Sequence, residues 1–132
     1  MEDNNMEIGM KFETELVVTQ EMTAQAYGSG KLPVFATPRM IAMMENTAYR
    51  CVQDDLAEGQ GTVGTMVNVK HVSATPIGMR VRCEAVLTGI DRRRLTFDVR
   101  AWDEAGLIGE GTHDRFIIDA EKFMHNAEAK RN

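Results

Sequence analysis

Apolar residues recur at intervals of three and four along the middle of the chain: Met40, Ile41, Met44, Ala48, Cys51 and Val52. That spacing lays one face on an α-helix. Thr37-Pro38 ahead of the run reads as an N-cap followed by a proline at the first helical position. The pattern holds to about Leu56, and Gly59-Gln60-Gly61 ends it. The result is the dominant helix of the chain, about five turns long. Elsewhere the period drops to two. Residues 11 to 19 partly alternate, with Phe12 and Leu16 in one phase. Residues 62 to 74 place Thr65, Val67, Val69 and His71 on one face. Residues 79 to 87 place Met79, Val81, Cys83, Ala85 and Leu87 together, and residues 94 to 102 place Leu95, Phe97, Val99 and Ala101 together. Residues 107 to 119 form a further strand with Phe116 and Ile118 in phase, which puts His113 and Arg115 on the outer phase. Thr88 to Asp91 and Asp103 to Gly106 carry hairpin-turn chemistry.

A short helix is expected over residues 19 to 27, capped by Thr19 and stopped by Gly28-Ser29-Gly30. The order strand, helix, then a strand meander is an α+β arrangement. About five antiparallel strands, each with one apolar face, form a curved sheet wrapped around the one long helix. Such a unit leaves a sheet edge unpaired, which invites edge-to-edge dimerisation. Residues 1–132 read as a single domain, long enough to bury a core without disulfide staples.

Composition narrows the function. The net charge of −5 argues against sequence-independent nucleic-acid binding, though a few local Lys or Arg residues can still hold an anionic ligand. Cys51 and Cys83 fall on apolar phases and read as small buried hydrophobes, so neither a disulfide framework nor a metal site is expected. The acidic MEDNNMEIGMK start has no apolar run and is not a signal peptide. No window approaches the roughly 18 apolar residues of a membrane span. A cytoplasmic protein is expected. Ten methionines point to an adaptable core or a plastic apolar pocket. The tail from His125 to Asn132 is polar and reads as frayed.

Three polar residues stand where the apolar pattern predicts largely buried positions: Thr37, Glu45 and His71. Buried polar groups are costly unless partnered. Glu45 lies two turns from Thr37 on a broadly similar side of the helix, and His71 faces the helix from its strand. A hydroxyl, a carboxylate and an imidazole that can partner one another suit hydrolysis. Gly64 permits close backbone approach to a ligand. Arg115 suits a carboxylate or phosphate. Arg92-Arg93-Arg94 reads as a solvated turn, and His113 and His125 have no metal-ligand spacing.

The stretches VFATPRMIAMME (34 to 45), GTVGTMVNVKHVSATPIGM (61 to 79), GIDRRRLTFDVRAWDE (89 to 104) and IGEGTHDRF (108 to 116) resemble the fluoroacetyl-CoA thioesterase-like family of hotdog-fold thioesterases. The resemblance covers nearly the whole chain. It implies a hotdog domain that dimerises into a continuous sheet, as a homodimer or a dimer of dimers, with acyl-CoA bound near the interface. It implies hydrolysis of an acyl-CoA thioester without a cofactor, through a catalytic Thr37, Glu45 and His71. It places Gly64 near the thioester and Arg115 near the CoA portion. The fluoroacetate-selective member carries aromatic lid residues before its counterpart of VFAT. Here residues 27 to 33 are YGSGKLP, with Tyr27 the only aromatic, so thioester hydrolysis carries over and a fluorinated substrate does not. A non-catalytic acyl-CoA binding or sensing protein is the alternative. A hydratase of the same fold would need a second acidic residue close to His71.

Overall fold

A computed structural model describes residues 6–131; the leading MEDNN of the acidic N-terminal stretch and Asn132 lie outside them. The elements are strand β1 (Lys11–Val17), a 3-10 turn (Gln20–Met22), helix α1 (Ala24–Tyr27), helix α2 (Thr37–Gln53), strands β2 (Gln60–His71), β3 (Arg80–Asp91), β4 (Arg94–Asp103) and β5 (Gly106–Asp119), and helix α3 (Ala120–Glu128). The strands form one antiparallel sheet in the order β1-β3-β4-β5-β2. The sheet curls around α2, which is the expected hotdog arrangement.

The core lies between the inner sheet face and α2. Met40, Met43, Met44, Ala48, Cys51 and Val52 of the helix pack with Val81, Cys83, Ala85 and Leu87 of β3 and Leu95, Phe97, Val99 and Ala101 of β4. Three buried methionines in one helix adapt to the curved sheet better than branched side chains would. Gly109 of β5 makes room for the Met40 side chain of α2: a Cβ there would stand 2.5 Å from Met40 Sδ, and the thioether would have to shift. Ile41 is only half-buried, and Thr47 is inside instead. The Thr47 hydroxyl donates to Met43 O at 2.7 Å and meets Thr14 Oγ1 at 2.8 Å, which offsets the cost of its burial.

Several local expectations change. Ala36, not Thr37, is the N-cap of α2; Thr37 is the first helical residue and its hydroxyl makes no cap bond. The helix ends at Gln53, one turn short of Leu56. The segment from Thr19 to Tyr27 breaks into a 3-10 turn and a four-residue helix, because the Thr23 side chain accepts from Ala26 N at 3.1 Å and starts a new helix there. The strands after α2 are not one meander. Only β3, β4 and β5 are, while β2 crosses to the far edge beside β5. β3 runs on to Asp91, absorbing Leu87 to Gly89 in a bulge, so the hairpin turns at Arg92-Arg93. The phase of β5 is opposite to the expected one: His113, Arg115 and Ile117 face the core and Phe116 is exposed. His125 to Arg131 continues as helix and 3-10 turn rather than fraying.

β1 and β2 are the two edges. Among the described residues β2 is the more open: Gly64 to Asn68 are all exposed, Met66 and Val67 included. A twelve-residue edge strand with exposed apolar side chains is a template for pairing.

Candidate active site

α2 and β2 carry two separate polar clusters. The first is at the start of the helix. Thr37 Oγ1 lies 2.6 Å from His71 Nδ1, where the end of β2 passes the first turn of α2. The hydroxyl is free for this bond because Ala36 supplies the cap. With the hydroxyl as donor, Nδ1 is the basic nitrogen and Nε2 carries the ring proton. His71 Nε2 is buried and has no hydrogen-bond partner. Burial pulls the His71 pKa below the ordinary imidazole value, and the Ser73 backbone partly offsets this. The ring is therefore neutral, as a base requires. At the helix start Pro38 has no N–H, while Arg39 N and Met40 N both donate to Ala36 O. The Thr37 N–H is thus the first-turn donor without a backbone acceptor, at the positive end of the helix dipole. The pair lines a cleft of about 330 Å³ with Ala24, Val34, Phe35 and Val72 among its walls.

The second cluster surrounds Glu45. Eight residues along a helix is a rise of about 12 Å, so Glu45 reaches neither Thr37 nor His71 within the chain. It faces Gly64, Arg115 and His113 instead. A Cβ on Gly64 would lie 2.8 Å from Glu45 Oε2, 3.2 Å from His113 Cε1 and 3.4 Å from Arg115 Nη1. Gly64 is therefore the residue that leaves room for all three. It sits at a register shift in the β2–β5 ladder, where Thr65 has no partner.

Arg115 was expected on the outer phase; it is 8 % exposed, on the inner one. Its burial is tolerated because its donors are met: Nε donates to Thr62 Oγ1 at 2.7 Å, Nη2 to Thr62 O at 2.9 Å, and Nη1 to His113 Nε2 at 3.2 Å. The Tyr49 ring lies 5.9 Å from the guanidinium carbon. Burial lowers the Arg115 pKa, and the charge on Glu45 opposes that shift. His113 is 1 % exposed. Its Nδ1 lies 2.8 Å from Met66 O, a group that can only accept, so Nδ1 holds the proton and Nε2 accepts from Arg115. Burial lowers the His113 pKa, and the Arg115 charge acts in the same direction.

The chain thus brings together Thr37 with His71, and Glu45 with Gly64 and Arg115, but not the two groups with each other. His113, Thr62 and Tyr49 complete the second cluster, and the sequence reading assigned none of them to it. The signal available was His113 and Arg115 two residues apart, hence on one strand face.

A family model for fluoroacetyl-CoA-specific thioesterases matches residues 18–121. The chain belongs to this family. Its activity is that of an acyl-CoA thioesterase. The fluoroacetyl-CoA thioesterase of Streptantibioticus cattleyicolor is 35 % identical over 134 aligned positions, covering 97 % of this chain and 95 % of that protein. A solved threonine-to-serine variant of the fluoroacetyl-CoA thioesterase, in complex with acetyl-CoA, superposes with a TM-score of 0.91 at 34 % identity, covering 96 % of this chain and 100 % of that one. A Thermus thermophilus thioesterase superfamily member superposes at 0.88 with 31 % identity, covering 95 % and 93 %. No helix among the described residues is long and apolar enough to cross a membrane.

Proposed function

We propose that this family member hydrolyses a small acyl-CoA at a site completed by a second copy of the chain. The observation that carries the reading is the 2.6 Å contact between Thr37 Oγ1 and His71 Nδ1 at the mouth of a cleft. A hydroxyl held on a neutral imidazole is an activated nucleophile. In the first step Thr37 Oγ attacks the thioester carbonyl and His71 Nδ1 takes the hydroxyl proton. The Thr37 N–H and the helix dipole stabilise the oxyanion. The C–S bond breaks, and the proton passes from His71 to the departing thiolate. Water then attacks the acyl-threonine carbonyl while Glu45 accepts one of its protons; the C–Oγ bond breaks, the proton held by Glu45 is returned to Thr37 Oγ, and the free acid leaves.

Glu45 comes from the partner. Two β2 edges paired antiparallel about a two-fold axis place residue i opposite j and j opposite i. A centre between Val67 and Asn68 sets His71 of one copy opposite Gly64 of the other. The Thr37–His71 pair then meets the partner's Glu45 and Arg115. The exposed Met66 and Val67 support this homodimer by burying apolar area at its centre. The reading takes residues 1–132 as one domain. It is placed in the cytoplasm, where two buried, unpaired cysteines are stable.

The cleft beside Thr37 suits a short acyl group. Tyr27 does not close it: this side chain is exposed at the end of α1, next to a left-handed Gly28. A fluoroacetyl-selective lid is therefore absent from this reading. Thiol release from purified protein should be followed with acetyl-, branched, aromatic and fluoroacetyl-CoA. Turnover of short acyl-CoAs with little preference for fluorine is expected. Tight binding of all four with no thiol released over hours would replace hydrolysis by a sensing role.

A further inference from the structure

Coenzyme A ends in a 3′-phosphorylated adenosine diphosphate, a polyanion, and this chain carries a net charge of −5. The cleft at Thr37 and His71 has no Lys or Arg in its lining. A second surface supplies the missing charge. The β3–β4 hairpin turns through Arg92, Arg93 and Arg94, which with Asp91 and Phe116 surround a hollow of about 560 Å³. An adjoining groove of about 200 Å³ shares Arg93 and Phe116 and adds Lys122 and Phe123. Phe116 is 41 % and Phe123 39 % exposed. Four cations outnumber the two carboxylates, Asp91 and Asp119, that line the same hollows, and together with two solvent-facing phenyl rings they suit a phosphorylated purine nucleotide in charge and stacking.

The backbone supports the same assignment. Arg92 has φ 60°, the one positive φ outside glycine among the described residues. It is the first central residue of a two-residue hairpin, a position where glycine normally takes positive φ. Residues held in sparsely populated backbone regions recur at ligand clamps as well as in tight turns. Arg92 makes no hydrogen bond or ion pair among the described residues. Arg94 is tethered to Asp91 at 3.1 Å, and Arg93 donates to Ile117 O at 3.3 Å; each guanidinium keeps further donors free.

The hairpin also stands at the correct end of the sheet. Gly64 pairs with Arg115, Arg115 with Leu95, and Arg94 with Phe116. From Gly64 to Arg94 is two strands across and one residue along, about 10 Å at ordinary sheet spacings. An extended pantetheine arm spans that distance. The rim of the sheet beside the Glu45 cluster is therefore where the far end of the substrate emerges.

We propose that Arg92, Arg93 and Arg94, with Lys122 and the Phe116 ring, form the subsite for the nucleotide end of the CoA thioester. The arginines pair with its phosphates and the phenyl ring stacks on adenine. The proposal rests on the acyl-CoA reading above and adds the surface that distinguishes CoA from a bare thioester.

The test compares a short acyl-CoA with the matching acyl-pantetheine thioester, which lacks the nucleotide. The proteins are the full chain, the double variant Arg92→Asn/Arg94→Gln, and Phe116→Leu. Asparagine tolerates positive φ, so the turn is retained. The expected result is a KM for acyl-CoA raised about 10-fold or more in the double variant, with the KM for acyl-pantetheine the same as wild type. An unchanged KM for acyl-CoA would overturn the proposal, as would an equal rise for both thioesters. Should the wild type hydrolyse neither thioester, calorimetric titration with 3′-phosphoadenosine 5′-phosphate decides the subsite separately. Binding that the double variant loses supports it, and no binding by wild type refutes it.

Discussion

Gly64 carries no reactive group, yet its missing side chain shapes the Glu45 cluster. Gly64→Ala would drive a methyl to 2.8 Å from Glu45 Oε2. Glu45 has freedom to swing away, so the cost falls on its aim rather than on folding. The expected outcome is a kcat lowered about 10-fold or more with a melting temperature close to wild type; steady-state kinetics beside calorimetry would show it. In the proposed mechanism His71 sets the acid side of the pH profile. Its pKa is lowered by burial, so the neutral ring persists below the ordinary imidazole value. The acid limb of kcat/KM should then lie below about pH 6.5, and a limb above that value would show that a different group titrates. Thr37, Glu45 and His71 stood out as polar residues at positions expected to be buried; the structure leaves Thr37 exposed and Glu45 and His71 half-buried, and pairs only Thr37 with His71. What the pattern could not show is that Ala36 takes the cap and so frees the Thr37 hydroxyl. Nor could it show that Arg115 lies inside, since alternation reads a guanidinium as solvent-facing.

At the scale of elements, the burial of His113 on β5 ties stability to pH. The ring is held neutral between Met66 O and the Arg115 guanidinium, with Glu45 and Asp114 the nearby charges that oppose the shift. Its folded pKa lies below its unfolded one. The contribution is therefore complete above about pH 6.5 and is lost as pH falls through the folded value. Urea midpoints taken from pH 7.5 down to pH 5 should fall for wild type and fall less steeply for His113→Gln. Parallel curves would remove His113 as the cause. The long helix and the β3 and β4 faces were legible because their apolar periods are unbroken across whole elements. The β3–β4 turn was not. Thr88-Gly89 looks like a hairpin, but in the structure it is a bulge, and the strand continues to a turn made of arginines. The position of β2 was also hidden, because strand alternation carries no information on which neighbour a strand pairs with. The phase of β5 was misread because its inner face is filled by a satisfied polar pair instead of hydrophobes.

For the whole molecule, the proposed function makes assembly part of the chemistry. α2 spaces Thr37 and Glu45 too far apart to act on one carbonyl within a single chain. In the proposed dimer, the open β2 edge brings in the second copy that closes the gap. Mixing two inactive variants tests this most directly. Glu45→Ala and His71→Ala homodimers should each lose turnover by about 100-fold or more in a thiol-release assay with a short acyl-CoA. Unfolded together in equal amounts and refolded, half of the dimers are mixed and each of these has one intact site, so about a quarter of wild-type activity should return. A mixture as inactive as its parents would contradict the shared site, and a parent variant with wild-type turnover would contradict the assigned roles of Glu45 or His71.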